Sequence, residues 1–262
     1  MNYNRFSPYL TVIFAITIFV FVDIACANTK KVKREQKNSS LENISPLEEE
    51  VTIPEIIKLE ENIFQLGGIK IDKKKKSVSI NGVINMSDGL VEYLACSPKG
   101  KLHESVLSLN AEPYHIQMAL LLLGLVPGDM PLEFQGATQQ PCGDPVNIKI
   151  SWKDNTTAME YSPEDLILNI ETKKNMDKPD WVFTGSKILD GQFMAQVEGS
   201  IAAIYHDPFA LLDHRSRQGA DDTLFYANKN ILPPVGTPIV FEIFQETDLK
   251  VKKRVRCKKN DK

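Results

Sequence analysis

The chain has 262 residues, of which 42% are hydrophobic, and a formal net charge of −3 at pH 7. Without its polar and basic ends, the block at 51–246 has the length of one domain with a substantial core. A charge so near to neutral excludes the strongly basic class of proteins, and we expect no nucleic-acid partner.

The first residues have the pattern of an export signal. A basic residue precedes an apolar run at 9–22, and Ala25-Cys26-Ala27 supplies a small-residue cleavage site. We therefore expect 1–27 to be a signal peptide and the protein to be exported, either periplasmic or attached to the envelope. Two alternatives stay open. Cys26 could carry a lipid, which Asp23 disfavours, or the segment could be a retained anchor, although its apolar run is shorter than the roughly 20 residues of a spanning helix.

The segments on either side of the folded block are polar. Residues 28–50 contain few apolar side chains and cannot bury enough surface to become ordered, so we interpret them as a disordered tether. Residues 247–262 form a basic tail with eight basic and two acidic side chains. This tail, or a lipid on Cys26, could contact a membrane surface or cell-wall polymer, and the alternative is a solvated end.

Two hairpins are predicted at the start of the folded block. The first has alternating arms at 67–72 and 77–85, joined by four exposed lysines. The second has arms at 91–96 and 102–109, joined by Ser97-Pro98-Lys99-Gly100, which fits a type I turn.

Three short helices are predicted after the hairpins. Pro113 starts the first, which ends at Gly124. Ser162-Pro163-Glu164-Asp165 has the cap, proline and acidic residue of a helix start, and Asp207-Pro208 opens a third helix that runs through Leu212.

Strands are predicted between and after these helices, at 145–152, 181–186, 193–205 and 239–244. Leu189-Asp190-Gly191 is predicted to be a turn. Neighbouring strands, short connections and three helices favour an α+β fold, a mainly antiparallel sheet with short helices packed against it.

The second predicted hairpin concentrates reactive side chains. Because side chains alternate along a strand, one face would carry four of them: Glu92, Cys96, His103 and Ser105. Cys96 and His103 would be diagonal neighbours, roughly 7 to 8 Å apart by Cα. Glu104 would point to the opposite face, so that it could complete a triad with His103 and Ser105 only at a bulge.

This face has three interpretations. A thiol on Cys96 activated by His103, with Glu92 or Glu104 as the orienting group, would make the protein a thiol-dependent hydrolase or transferase. Alternatively, Cys96 and His103, with Glu92, are ligands of zinc or a softer metal ion. In the third interpretation Cys96 packs as a small apolar residue, and His103 and Ser105 only satisfy hydrogen bonds.

Acidic residues form a further candidate binding set, with Ser105 and Glu104: Asp207, Asp221 and Asp222. Their spacing lacks the register of a calcium-binding EF-hand. Asp207 is better explained as a helix cap, and the Asp221-Asp222 pair as turn or cap residues. The remaining histidines are scattered and are interpreted as ordinary surface or capping residues: His115, His206 and His214.

The cysteine count limits the redox chemistry. Cleavage after Ala27 leaves Cys96, Cys142 and Cys257, an odd number that allows at most one internal bridge. Cys96 and Cys142 are the only pair inside the folded block, and a bridge between them would make Cys96 structural. Three dispersed cysteines do not supply the four closely spaced thiolates of an iron-sulphur cluster. The sequence leaves open whether the protein binds another metal as a cofactor.

Several short phrases occur in a characteristic order: Gly89-Leu90-Val91-Glu92-Tyr93-Leu94-Ala95-Cys96, Gly100-Lys101-Leu102-His103-Glu104-Ser105-Val106-Leu107, Phe183-Thr184-Gly185-Ser186, Glu198-Gly199-Ser200, Asp207-Pro208, Gly219-Ala220-Asp221-Asp222-Thr223 and Pro234-Val235-Gly236-Thr237-Pro238. In this order they resemble the YdjY domain family of bacterial envelope proteins, over most of the folded block. The resemblance implies an envelope protein but no particular reaction, since the family is largely uncharacterised.

We therefore expect an exported, single-domain protein that acts as a non-catalytic binding or accessory module, with its site near the hairpin at 91–109. The thiol-dependent enzyme and the metal-binding protein are the alternatives, so the sequence leaves open whether the protein is an enzyme.

Overall fold

A computed structural model describes residues 54–154 and 156–246. The predicted signal peptide, tether and basic tail, with Cys26 and Cys257, lie outside these residues. The described strands and α-helices are, in chain order, β1 (Ile56–Lys58), β2 (Ile63–Leu66), β3 (Ile69–Asp72), β4 (Ser77–Ile84), β5 (Tyr93–Cys96), β6 (Ser105–Leu109), α1 (Pro113–Leu122), β7 (Asp144–Asp154), β8 (Thr157–Tyr161), β9 (Ile167–Asn169), β10 (Lys174–Asn175), β11 (Trp181–Phe183), β12 (Ile188–Leu189), β13 (Gln192–Phe193), α2 (Met194–Glu198), β14 (Ser200–Ala203), β15 (Leu212–His214), β16 (Phe225–Ala227) and β17 (Pro238–Gln245).

Eight of these strands form a closed barrel. Their order is β4-β17-β7-β11-β15-β14-β5-β6, and β6 pairs back with β4. Neighbours are antiparallel except for the parallel pairs β5–β6 and β14–β15. Strands β3, β2 and β1 continue outward from β4, and β8 pairs with β7. Smaller sheets are formed by β10-β9-β16 and by β12-β13.

This architecture shows that the α+β prediction was wrong. Of the described residues, 40% lie in strands and 14% in helices, and they contain two α-helices rather than three packed against a sheet. The physical reason is the closure of the sheet, because a barrel buries one face of each strand against other strands and needs no helical layer.

Of the three predicted helices only the first forms, as α1, which buries Ile116, Ala119 and Leu120. At the second, Ser162 and Asp165 form a capping box, but only a 3-10 helix follows (Pro163–Leu166) before the extended strand β9. At the third, the Asp207 carboxylate accepts a hydrogen bond from the Phe209 N–H, and the chain enters β15 within a few residues. The local hydrogen bonds of a helix start therefore form at both positions, but no α-helix follows either of them.

The first hairpin is confirmed. Strands β3 and β4 pair antiparallel with Asp72 opposite Ser77, and the Asp72 carboxylate accepts hydrogen bonds from the N–H groups of Lys74 and Lys75. The strand predicted at 193–205 is interrupted by α2. It resumes as β14 after Gly199, which has a left-handed φ of 69° and ends the helix.

Buried side chains from most strands of the barrel form one continuous core together with those of α1. Its largest fully buried members include Phe183, Phe225, Phe241, Leu94 and Leu107. Among residues 54–154 and 156–246, no helix is both long enough and apolar enough to cross a membrane.

Candidate functional site

The segment that carries the predicted Cys96–His103 face is not a hairpin. The turn forms as predicted, since the Gly100 N–H donates to the Ser97 carbonyl at 2.9 Å. A 3-10 helix (Leu102–Glu104) then redirects the chain, and β6 runs parallel to β5 with Tyr93 opposite Ser105. The face predicted from an antiparallel register is therefore wrong.

Cys96 lies in the interior. Its side chain is fully buried beside Tyr93, Ala203 and Ala210, and burial raises the pKa of its thiol to about 12. Cys96 is a free thiol, whereas Cys142 is disulfide-bonded. The Cys96–Cys142 bridge that the cysteine count allowed is therefore not formed, and Cys96 lacks the exposed, low-pKa thiolate that a nucleophile needs.

The proposed partners of Cys96 point elsewhere. His103 is 79% exposed, and its Nε2 lies 3.5 Å from the Glu104 carboxylate. Ser105 is buried and donates from its hydroxyl to the Leu107 carbonyl at 2.8 Å. A buried thiol and an exposed imidazole support neither the thiol mechanism nor a shared metal ion.

This geometry predicts that Cys96 resists alkylation in the folded protein. A rise of the thiol pKa from about 9 to about 12 lowers the thiolate fraction about a thousandfold at neutral pH, and burial blocks access as well. We expect iodoacetamide to label Cys96 at least a thousandfold more slowly in the native protein than in urea, as followed by mass spectrometry. Fast native labelling that His103→Ala slows would contradict this and restore the enzyme interpretation.

A buried network surrounds Tyr93 instead. The Tyr93 hydroxyl donates to the Asp207 carboxylate at 2.7 Å and accepts from the Lys101 ammonium at 3.1 Å. The other Asp207 oxygen accepts the Phe209 N–H at 2.8 Å. Burial raises the pKa of both Asp207 and Tyr93. Asp207 therefore does not cap a helix but joins Tyr93 to the turn at 207–210.

Glu92 borders this network. Its carboxylate accepts a hydrogen bond from the Gln135 side chain at 3.1 Å. Its pKa is raised, first by burial and then by the negative charge of Glu104, while Lys101 opposes the shift. Asp222 and Asp207 raise the Glu92 pKa further. The structure thus brings four of the predicted acidic residues into electrostatic contact, although not on the predicted hairpin face.

Asp221 does not belong to this group. It is exposed, and its carboxylate accepts hydrogen bonds from the Thr223 N–H at 2.9 Å and the Thr223 hydroxyl at 2.6 Å. These bonds lower the pKa of Asp221. Its observed contacts are those of a local turn.

Two histidines that the sequence suggested to be surface or capping residues are fully buried with Asp213. His206 Nδ1 lies 2.9 Å from the Asp213 carboxylate, and the ligand atoms of His206, Asp213 and His214 all lie within 4.8 Å of one another. His214 Nε2 donates to the Ile204 carbonyl at 2.6 Å, and its Nδ1 accepts the Ser216 N–H at 3.2 Å.

Both ring nitrogens of His214 make hydrogen bonds within the protein. The cluster is therefore a hydrogen-bond network, and of its three residues only His206 and Asp213 could bind a metal ion. Burial lowers the pKa of His214 to about 4, which keeps it neutral. The sequence could not reveal the cluster, because His206 lies in a loop before β15 and nothing in the spacing indicates burial.

A groove of about 720 Å³ opens beside the turn at 207–210. Its lining comes from α1, from the loop that follows α1 and from the segment around β12 and β13. The residues that define its walls are Tyr114, Gln117, Pro127, Ser186, Ile188 and Phe193. Ile188, at the rim, is 72% exposed. Grooves of this size and apolar character are the usual place for a ligand.

The loop after β11 forms one wall of the groove and is held in an unusual conformation. Ser186 has a left-handed φ of 62°, which costs about 1 kcal/mol or more for a residue other than glycine. Its hydroxyl donates to the Phe209 carbonyl at 2.7 Å and accepts the Ala195 N–H at 2.9 Å. The Thr184 hydroxyl donates to the Ala210 carbonyl. The groove wall is thereby tied to the turn that Asp207 fixes.

Gln117 carries the unsatisfied polar group of the groove. Its side-chain oxygen is buried and has no hydrogen-bond partner among the described residues. Leaving such an acceptor unpaired costs about 1 to 3 kcal/mol. The groove therefore combines apolar walls with one acceptor that lacks a donor.

Sequence reasoning missed the groove. Residues 183–186 were predicted only as the end of a strand and as a phrase of the family resemblance, whereas the fold places them in the groove wall with Gln117 and Pro127. Lys101, Tyr93 and Gln135 were missed because three separate segments supply them.

Comparison with known proteins identifies the family to which the domain is similar. The family model of the YdjY domain matches residues 69–243, a range that contains the groove and the Tyr93 network but not β1 and β2. No curated protein and no solved structure matches the chain.

Proposed function

The chain belongs to the YdjY domain family, and we propose that it is an exported, non-catalytic binding module of the bacterial envelope. Export rests on the signal pattern of 1–27. Binding rests on one observation, the groove whose wall holds the buried, unpaired oxygen of Gln117. The Cys96 thiol is buried with a raised pKa and the His103 imidazole is exposed, and this arrangement does not support the enzyme alternative.

The chemistry of the groove favours an extended peptide with apolar side chains as its ligand. Tyr114 and Phe193 pack edge to face at a centroid distance of 6.3 Å and, with Pro127, offer apolar surface. Gln117 requires an N–H or O–H donor. A peptide backbone presents N–H donors between its side chains, whereas the hydrocarbon chain of a lipid presents none.

We expect Gln117→Leu to weaken peptide binding about tenfold, because the variant loses one hydrogen bond in a desolvated site. The probe is a fluorescein-labelled library of synthetic peptides with alternating Val, Ile and Leu, from which the tightest binder is measured by fluorescence anisotropy. The same peptide with single N-methylated amides identifies the donor. N-methylation of that amide should weaken wild-type binding about tenfold and leave binding to Gln117→Leu unchanged.

Gln245→Leu is the matched control. Gln245 also has a buried side-chain oxygen without a partner among residues 54–154 and 156–246, but it lies in β17 and does not line the groove. It should bind the peptide as the wild type does. Equal weakening by both substitutions, or no peptide bound at all by the wild type, would reject the proposed site.

A further inference from the structure

A second cavity, of about 250 Å³, opens where β7, β11 and the end of β17 meet the 3-10 helix at Pro163–Leu166. It shares no lining residue with the groove, so binding at the two places can be tested separately. Glu164 lines this cavity and is only 5% exposed. We propose that the cavity binds a primary ammonium group at the end of an alkyl chain, with the Glu164 carboxylate as its counter-ion.

Glu164 is a buried carboxylate without a basic partner in the described fold. One of its oxygens accepts a hydrogen bond from the Trp181 indole N–H at 2.8 Å. Among residues 54–154 and 156–246, no lysine, arginine or histidine forms an ion pair with it. Buried glutamates are nearly always paired, because removing a carboxylate from water is costly unless an opposite charge offsets it. A buried carboxylate that borders a cavity is therefore suited to a cation that a ligand supplies.

The fold holds Glu164 in one position. Ser162 and Asp165 form the capping box that starts its 3-10 helix, and the Ile167 N–H donates to the Glu164 carbonyl. Trp181, which holds the carboxylate, is itself buried. Because backbone and indole fix the carboxylate in advance, a ligand that binds to it orders few further groups.

The lining of the cavity suits an alkylammonium better than a hard metal ion. Calcium takes roughly six to eight oxygen ligands, but three residues of the lining are prolines, which have no side-chain ligand: Pro145, Pro163 and Pro179. Their rings offer apolar surface to the methylene groups of an alkyl chain, while the ammonium donates to Glu164. Glu246, whose carboxylate accepts the Asn147 amide at 2.9 Å, adds a second acidic group to the lining.

Calorimetric titration tests the proposal with two sources of this chemistry. 1,5-Diaminopentane is a free amine, and Nα-acetyl-lysine amide carries the same group as a side chain of a peptide. Nα-acetyl-norleucine amide is the control ligand, because it has the carbon chain of lysine without the ammonium. We expect one or both amines to bind, and which of them binds more tightly identifies the source. Binding of neither amine, or equal binding of the norleucine compound, would overturn the proposal.

Glu164→Gln should weaken amine binding about tenfold or more, because it removes the charge and keeps the shape. Glu171→Gln is the matched control, since it removes the same charge from an exposed glutamate that does not line the cavity. In ¹H–¹⁵N spectra the amine should shift the indole signal of Trp181 in the wild type but not in Glu164→Gln. The signal of Trp152, the other tryptophan, should not move. Equal weakening by the two substitutions would reject the site.

A competing arrangement is that Lys178, the one basic residue of the lining, neutralises Glu164 in solution. Urea unfolding without amine separates the two cases. If Glu164 serves a ligand, Glu164→Gln keeps an acceptor for the Trp181 indole, removes a buried charge and should be at least as stable as the wild type. Lys178→Met should leave the urea midpoint unchanged. A lower midpoint for both variants would assign the ammonium to Lys178 and overturn the proposal.

Discussion

Asp213→Ala is expected to lower the free energy of unfolding by about 4 kcal/mol, because it leaves several buried donors without an acceptor. The Asp213 carboxylate accepts hydrogen bonds from His206 Nδ1 at 2.9 Å, from the His214 N–H at 2.6 Å and from the Asp207 N–H at 3.2 Å. All four residues are buried. Urea unfolding at pH 7, followed by tryptophan fluorescence, measures the loss.

Asp213→Asn tests the cause, since an amide keeps one acceptor oxygen of nearly the same shape. It should lose less stability than the alanine variant. Asp221→Ala is the exposed control, because Asp221 bonds only within its own turn. A loss for Asp213→Ala no larger than that for Asp221→Ala would show that Asp213 does not hold the turn around His206.

Acid is expected to destabilise the folded protein through His214. Burial, the largest cause, lowers the pKa of His214 to about 4, although Asp213 opposes the shift. Below about pH 6.5 the unfolded chain binds a proton at this position and the folded protein does not, so unfolding is favoured as the pH falls. Above pH 6.5 His214 does not lower the free energy of unfolding. By about pH 4 its effect has lowered the free energy of unfolding by about 3 kcal/mol.

The measurement compares variants, because other groups titrate in the same range. The raised pKa of Asp207, for example, acts with the opposite sign. His214→Gln keeps an N–H donor for Ile204 but does not titrate, so its stability should fall by about 3 kcal/mol less than that of the wild type between pH 6.5 and 4. His103→Gln, which removes an exposed histidine, is the control substitution. Parallel curves for wild type and His214→Gln would contradict the prediction.

Local patterns predicted the elements that local contacts build. The first hairpin, helix α1, the turn at Asp190-Gly191 and strand β17 each carry their own signal in alternation, in a proline or in a glycine. The turn predicted at 97–100 is also confirmed. The register beyond it was wrong, because the 3-10 helix at Leu102–Glu104 adds a second change of direction that no turn pattern indicates.

The contacts of the candidate site could not be predicted from the sequence, because they depend on tertiary structure. The sequence named Glu92, Glu104, Asp207 and Asp222 as separate candidates and could not place them around Tyr93 and Lys101, because these residues come together only through the closed sheet. In the sequence, nothing distinguishes Gln117 from an ordinary polar residue of α1. Its unpaired oxygen follows from tertiary packing alone.

The position of β17 limits how the domain can fold. β17 is the last described strand in sequence, yet it lies between β4 and β7, with Phe244 opposite both Ser77 and Asn147. A chain that emerges from its N-terminus therefore cannot close the ring until residues 238–245 are available. Until then β4 and β7 present unpaired edges that other chains could bind. Folding of the domain thus awaits the synthesis of residues 238–245, and a truncation before 238 removes the strand that joins β4 to β7.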